Sequence, residues 1–420
     1  MNLLFLTQYY PPETGAAQNR ISDLARRLAK WGHNVTVLTA LPSYPKGEIF
    51  EGYRGKLVLD ETIDGIRVLR VWTYTTKSKS FVRRLLNYFS FVLGSILVGV
   101  AKSGPQDVLI VESPPLFLGL SGLLLSKLRH SKMVFNVSDL WPESAVSLGI
   151  LRSKLLVGIA TALEEFIYRH SDLITGQTQG IVDKISVRTP AIPVALVTNG
   201  VDIGTFSIDL NAARERIRRD LGMERAFVVG YAGLHGLAQG LETLLQAADR
   251  LRGQENIQFV FFGDGPEKTR LTELAREKAL ANVRFYPPEP KVNMPSIMAA
   301  FDASIVPLKR LDLFRGALPC KLFESMAAAV PVIVSIEGEA RALVEQAGAG
   351  ICVPPEDGAQ MAEAILKLRS NPALRISLGQ SARKYVIGNY NRETIAKRFD
   401  HLLSNLGVPS STREIEVTAC

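Results

Sequence analysis

Phe227-Val-Val-Gly-Tyr-Ala-Gly-Leu-His-Gly-Leu-Ala-Gln-Gly240 decides how this chain folds. Phe227–Tyr231 is a short apolar run of strand length, and Ala232–Gly240 is a glycine-bearing turn. Leu241, Leu244, Leu245, Ala248 and Leu251 then recur at the spacing of one helix face. Strand, glycine turn and helix open a β-α-β unit. Gly230, Gly233, Gly236 and Gly240 let backbone N–H groups approach an anion closely. Their spacing is neither a Walker loop nor the dinucleotide fingerprint, which disfavours a simple NAD enzyme.

The same opening occurs near the start. Leu3 to Thr7 reads as a buried parallel strand, Tyr10-Pro-Pro-Glu-Thr-Gly-Ala-Ala17 as a turn, and a helix follows with Ile21, Leu24, Ala25, Leu28 and Ala29 on one face. Arg20, Arg26, Arg27 and Lys30 fall elsewhere on it, and Val35 to Leu38 supplies the second strand. Gly15 at the mouth of that helix serves either turn geometry or close approach of a ligand. Two such starts in 420 residues with 47% hydrophobic content give two α/β domains. The turn signal in Thr198-Asn-Gly-Val-Asp202 and the polar stretch after it place the junction near residues 200 to 210.

The formal charge of +8 and pI near 9.3 suit anionic partners without choosing among them. Cys320, Cys352 and Cys420 form neither a metal spacing nor a disulfide framework, so a reducing, cytosolic compartment is expected. The short apolar start, with no basic leader, reads as a first strand and not a signal peptide.

Between the two starts, Ser43 to Val71 is expected as an excursion over the strand ends, with strand-like pieces at Lys56–Leu59 and Ile66–Val71. Lys77, Lys79, Arg83 and Arg84 then precede Leu85 to Val100, an almost wholly apolar run too short to span a bilayer comfortably. It is either a buried core helix or an interfacial element with a basic collar. Pro114 to Leu128 is a second strongly apolar helix. The strand Lys132 to Val137 runs into Ser138-Asp-Leu-Trp-Pro-Glu-Ser144, placing Asp139 at a strand's carboxyl end, where open α/β sheets keep their sites. The alternative for Asp139 is a helix cap with Trp141 packed beneath it.

In the second half, Ile257 to Phe262 ends in Gly263-Asp-Gly-Pro266, and Val283 to Tyr286 leads into Pro287-Pro-Glu-Pro290, whose rigid turn around Pro288 suits a nucleobase. Arg315-Gly-Ala-Leu-Pro-Cys-Lys-Leu-Phe-Glu-Ser-Met326 holds the centre of the expected chemistry. Pro319 suits a helix start, and Leu322, Phe323 and Met326 supply its apolar face. Lys321 and Glu324, three residues apart, share the other face near the helix N-terminus, where an anion is favoured. An amine to neutralise diphosphate and a carboxylate to accept two ribose hydroxyls fit a nucleotide-sugar. Seen alone, such a pair also reads as a solvated pair stabilising its own helix.

The constellation resembles the retaining, family-four glycosyltransferases of the GT-B architecture, and within them those that build bacterial surface polysaccharides on lipid carriers, similar to the colanic-acid and O-antigen transferases. The resemblance rests on Pro11-Pro-Glu-Thr-Gly15, Ser138-Asp-Leu-Trp-Pro-Glu-Ser144, Thr198-Asn-Gly-Val-Asp202, Gly263-Asp-Gly-Pro266 and Leu318-Pro-Cys-Lys-Leu-Phe-Glu-Ser-Met-Ala327, in that order. It implies two Rossmann-like domains facing across a cleft: an acceptor domain over 1–205 with a membrane-facing segment at about 81–128, a donor domain over 206–385, a crossover helix over 386–408 and a disordered tail over 409–420. It implies that Glu324 holds the donor ribose, Lys321 the diphosphate, that Gly15 borders the transferred sugar, and that Asp139 lies beside the reacting centre.

Two departures from the family accompany these marks. Gly316 stands where the broader family has a glutamate, and the loop Gly233-Leu-His-Gly-Leu-Ala-Gln239 lacks the usual arginine and lysine. Diphosphate charge then falls to Lys321, the N–H groups around Gly233, Gly236 and Gly263, and His235 or Arg315. The resemblance implies no metal and no cofactor. The partners it implies are a UDP- or GDP-sugar donor, a polyprenyl-linked saccharide acceptor and the anionic cytoplasmic face of the inner membrane, with no nucleic acid. A nucleotide-sugar epimerase of the same plan and a non-catalytic nucleotide-binding scaffold are the rival readings.

Overall fold

The computed structural model describes residues 1–407 apart from 14, 46, 78–79, 148–150, 152 and 255. Lys79 of the basic collar and the polar tail over 409–420 lie outside the described residues. The chain divides into two compact units, Met1–Thr198 with the chain from Ile395 onward, and Asn199–Thr394. Asn199 to Val201 falls to the second unit because Val201 bridges to Asn391 and Arg392 Nε donates to the Gly200 carbonyl at 2.9 Å.

The first unit is built on β1 (Asn2–Leu6), β2 (Asn34–Ala40), β3 (Val58–Ile63), β4 (Ile66–Val71), β5 (Val108–Ser113), β6 (Lys132–Val137), β7 (Leu173–Gly176) and β8 (Val194–Leu196). They form one sheet in the order β3-β4-β2-β1-β5-β6-β7-β8, parallel except for β3 against β4. Within the segment expected as an excursion, the strand-like piece Ile66–Val71 is β4, and the piece at Lys56–Leu59 runs into β3, so residues 58–71 extend the sheet edge. Asp64 (φ 51°) and Gly65 (φ 80°) make the two-residue turn that an Asp-Gly pair favours, and it folds β3 back on β4 as a hairpin.

The second unit has β9 (Phe227–Ala232), β10 (Ile257–Phe262), β11 (Val283–Tyr286), β12 (Ala303–Pro307), β13 (Val332–Ser335) and β14 (Gly350–Cys352). All are parallel, in the order β11-β10-β9-β12-β13-β14. Each unit therefore reverses its winding once, between β1 and β5 and between β9 and β12. Doubly wound sheets hold ligands at that reversal, outside the carboxyl ends of the strands. Apolar clusters pack on both faces of each sheet.

The helix Arg392–Ser404 ends the described secondary structure, and Ile395, Phe399 and Leu403 enter the core that also holds Leu3, Phe5, Ile21 and Val35. His33 Nε2 lies 2.8 Å from Asp400 Oδ1 on the same seam.

The apolar run becomes the helix Phe81–Lys102, longer than its sequence suggests, and its Val82–Lys102 portion has the length and mean hydropathy (1.6) of a membrane-crossing helix. Its two faces differ. Phe91, Val92, Ser95 and Val98 are buried, while Val82, Leu86, Phe89, Leu93, Leu97 and Val100 are exposed. Gly99 lets this helix close on its neighbour Leu118–Arg129, since a Cβ there would sit 2.8 Å from Leu125 Cδ1. One face of the run thus packs into the core, and the other leaves an apolar stripe exposed.

Candidate active site

In the second unit, the helix Cys320–Ala327 follows Pro319, which occupies the capping position in extended backbone, one residue before the expected first turn. No side chain caps this helix start, although Leu322 N donates to the Pro319 carbonyl at 2.9 Å, and the positive end of a helix favours an anion. Leu322, Phe323 and Met326 are fully buried, and Phe323 stacks on Tyr390 at 4.5 Å. Arg383 Nη1 donates to the Ala327 carbonyl at the helix's other end, a cation where the dipole favours one. This anchoring turns Lys321 and Glu324 to the opposite, half-buried face.

Lys321 does not pair with Glu324. Its ammonium donates to the Tyr231 hydroxyl at 2.6 Å and lies 3.9 Å from the centre of that ring. The hydroxyl donates in turn to the Leu234 carbonyl at 2.6 Å. Lys321 on the segment after β12 thereby meets β9 across the winding reversal. Burial lowers the amine to a pKa of about 7, with the Glu324 charge opposing. Burial likewise raises Glu324, against the pull of Lys291, Arg392 and Lys321. The Glu324 carboxylate has no hydrogen bond or ion pair among the described residues, while these three cations surround it at longer range. A solvated pair serving its own helix would show neither feature.

Gly233 (φ 142°) closes on this amine: a Cβ there would sit 2.8 Å from Lys321 Nζ, in backbone that only glycine adopts easily. Gly263 (φ 143°) packs still tighter, with its Cβ position 1.9 Å from the Gly233 carbonyl oxygen. Gly233 N donates to Phe262 O at 2.9 Å, His235 N to Asp264 O at 2.8 Å, and Glu267 N to His235 O at 3.0 Å. These bonds brace the two glycine turns against each other.

The His235 ring does not reach a ligand position. It is fully buried among Tyr231, Phe261 and Phe285. Neither ring nitrogen has a hydrogen-bond partner among the described residues. Burial, then Lys268 and Lys321, lower its pKa to about 4, so the imidazole is neutral and His235 shapes the loop through its backbone. This corrects the expectation of a diphosphate contact from its side chain. The reason is steric, because the strand before it directs the ring into the aromatic core.

Arg315 is exposed and 3.9 Å from Asp312, lining a cavity of about 210 Å3 with Lys309, Phe314 and Glu337. Gly236 lines another of about 200 Å3 with Gly240, Glu242, Arg270 and Lys309. Pro288 is exposed in the turn after β11. Lys291 and Arg392, unmarked in the sequence, join the site through their charge on Glu324.

In the first unit, Asp139 is half-buried beyond the end of β6. Burial raises its pKa and Glu143 adds to the rise, while the Ser144 hydroxyl and Leu140 N–H bond to it and oppose. Trp141 packs edge-on to Phe117 at 5.5 Å. Gly15 caps the helix Ala16–Lys30 in extended backbone (φ 172°), and a Cβ there would meet only the Gln18 amide. Turn geometry does not require glycine at 15. Glu13 from the same stretch is structural: its carboxylate accepts from Ser43 N at 2.8 Å, Tyr44 N at 2.7 Å and Tyr10 N at 3.2 Å.

Two family profiles match the chain, one described as Glycosyl transferase 4-like domain over residues 15–200 and one as Glycosyl transferases group 1 over residues 213–385. An Escherichia coli K12 protein that carries the name of a colanic acid biosynthesis glycosyl transferase, WcaI, is 27% identical over 408 residues, spanning 95% of this chain and 98% of its own. Among solved structures, sucrose-phosphate synthase of Thermosynechococcus elongatus superposes with a TM-score of 0.76 at 19% identity, covering 96% of this chain and 98% of its own. Anabaena HepE, solved with UDP-glucose, gives 0.73 at 17% identity, covering 96% and 99%. At such identities the likeness of structures speaks for the fold.

Proposed function

This chain belongs to the GT-B glycosyltransferases, a 4-like domain followed by a group 1 domain, and from that premise we propose that it transfers a sugar, with retention, from a UDP- or GDP-sugar to a polyprenyl-diphosphate-linked saccharide in bacterial surface-polysaccharide assembly. The observation that carries the donor reading is Glu324: a half-buried carboxylate with no hydrogen bond or ion pair among the described residues, one turn beyond an amine pressed against a glycine turn. In this reading its two oxygens accept the ribose hydroxyls. Lys321 and the positive end of its helix, which no side chain caps, take the diphosphate, and the turn around Pro288 borders the base. The names of the relatives, a colanic acid transferase and a protein solved with UDP-glucose, support the donor class and the setting.

Departure of the nucleoside diphosphate builds negative charge on its terminal phosphate. Lys321 and the helix start offset that charge without a metal, and the acceptor hydroxyl attacks from the same face. Asp139, whose burial favours the protonated form, stands at the strand end of the first unit as that unit's candidate for the reacting centre.

The acceptor reading rests on the exposed stripe Leu86, Phe89, Leu93, Leu97 and Val100, continued by Leu124 and Leu128 on the neighbouring helix. Arg83, Arg84, Lys102 and Lys127 are exposed around it. An apolar face with a basic rim suits an anionic bilayer, and this supports a reading in which the protein works at the cytoplasmic face of the inner membrane.

The test is mass analysis of a polyprenyl-diphosphate saccharide incubated with UDP-glucose, UDP-galactose, GDP-mannose and GDP-fucose, with and without EDTA. A lipid heavier by one sugar in α linkage from an α donor, undiminished by EDTA, is expected. An isomeric sugar nucleotide formed without lipid would make the protein an epimerase instead.

A further inference from the structure

The first unit carries a buried ion pair at the winding reversal where the second unit carries Lys321 and Tyr231. Arg20 lies on the helix after β1 and Glu112 near the end of β5, so their contact bridges the two strands between which the order reverses. The guanidinium is 10% exposed and the carboxylate 4%.

Glu112, Asn136 and Thr175 sit side by side on β5, β6 and β7. Thr175 Oγ1 donates to Asn136 Oδ1 at 2.7 Å, and Asn136 Nδ2 donates to Glu112 Oε2. Glu112 Oε1 accepts from Arg20 Nη2 and from the Ser138 hydroxyl. That hydroxyl also accepts from Arg20 Nη2 at 2.8 Å and from Gln177 Nε2. Ser138 thus uses its one donor and both lone pairs, and it is the residue before Asp139.

Stability does not explain this arrangement. A buried ion pair is often no better for folding than apolar side chains of like volume, and Arg20 Nε and Nη1 are buried with no partner among the described residues. The second unit shows what a structural pair looks like. Asp302, at the amino end of β12, holds Arg214 and Arg218, and Arg218 also donates to the carbonyls of Ala300 at 2.9 Å and Ala226 at 3.0 Å. That cluster gives every nitrogen of Arg218 a partner and sits at the strand end away from ligand chemistry. Arg20 and Glu112 leave donors unsatisfied and sit at the functional end.

We propose that Arg20 and Glu112 are positioning residues: they lock Ser138 so that Asp139 keeps its place at the end of β6, a role that rests on the transferase reading of Asp139. Ser144 and the Leu140 N–H bond to the carboxylate itself, while the Arg20–Glu112 set holds the residue before it.

The experiment compares wild type, the double variant Arg20→Met/Glu112→Leu, Arg20→Lys and Glu112→Gln. It follows nucleoside diphosphate release from the four donors named above with a polyprenyl-diphosphate saccharide, and each variant's Tm. The double variant is expected to keep the wild-type Tm or exceed it, with kcat down at least tenfold and the donor KM moved less than threefold. Arg20→Lys is expected to recover part of kcat, because a cation again holds Glu112. Should the double variant not fold, the isosteric Glu112→Gln is read by the same kcat and KM criteria. A folded variant with kcat within twofold of wild type, or a loss that follows Tm alone, overturns the proposal and leaves the transferase reading standing. Wild type that turns over none of the donors overturns that reading, and this role of Arg20 with it.

Discussion

The Lys321 ammonium is held 2.6 Å from the Tyr231 hydroxyl and not by Glu324, its neighbour one turn along the same helix. The amine is therefore stored on a neutral partner, with its pKa lowered by burial to about 7. Between that value and the ordinary lysine range, the unfolded chain binds more protons than the folded one, so the burial penalty eases as pH rises. A diphosphate beside the amine acts in the opposite sense and recruits a proton.

Binding of UDP or GDP at pH 8 is accordingly expected to take up close to one proton, and affinity should fall as pH rises above about 7, by up to about tenfold per unit. Calorimetry in phosphate and in Tris reads the uptake as a buffer-dependent heat. Lys321→Met should abolish the difference; a wild-type heat independent of buffer would show that the amine does not change state.

Glu324 predicts a split between stability and turnover. Its raised pKa means that the ionised side chain disfavours the fold, most strongly above that pKa, and that stability rises as pH falls through it. Glu324→Gln at pH 7.5 should leave Tm unchanged or slightly raised while turnover drops by about 100-fold, or about 2.7 kcal/mol of transition-state stabilisation. A substantial loss of Tm with full specific activity would assign Glu324 to the scaffold.

Two glycines at the sites should respond in opposite ways. Gly263→Ala drives a Cβ into the Gly233 carbonyl from a positive φ, and a loss of at least about 3 kcal/mol in chemical denaturation is expected. Gly15→Ala meets only a movable glutamine in extended backbone, so a stability loss of at most about 1 kcal/mol should accompany at least a tenfold loss of transfer. Unchanged transfer by the second variant would return Gly15 to a capping role.

The stripe on Phe81–Lys102 predicts surface behaviour. Leu93→Glu with Leu97→Glu, at positions 64% and 71% exposed, should leave Tm within about 2 °C, since surface changes of this kind stay near 0.5 kcal/mol. Sedimentation with phosphatidylglycerol-containing vesicles should fall several-fold, whereas phosphatidylcholine vesicles should show little binding with either protein. Equal binding of wild type and variant to the anionic vesicles would remove the stripe from the acceptor reading.

Both strand-turn-helix openings were legible from periodicity and glycine placement, and so was the face shared by Lys321 and Glu324, because each depends on residues near in sequence. Partners that depend on distant residues were not. Arg20 looked like any other charge on the polar side of its helix, and only its meeting with Glu112, 92 positions away, buries it. The signal available was Glu112 itself, a lone acid closing the apolar run Val108-Leu-Ile-Val. His235 misled for the same reason: its place in a glycine turn is local, but the Phe261 and Phe285 rings that enclose it come from two other strands. The β3–β4 hairpin was missed although its Asp64-Gly65 turn is among the stronger local signals.

The return of the last described helix to the first unit has a consequence for biosynthesis. Phe399 and Leu403 complete a core that β1 begins, so a ribosome must translate nearly the whole described chain before that core can close. Asn199–Thr394, by contrast, is contiguous and can mature as it emerges, leaving the earlier-made half waiting with an apolar seam uncovered.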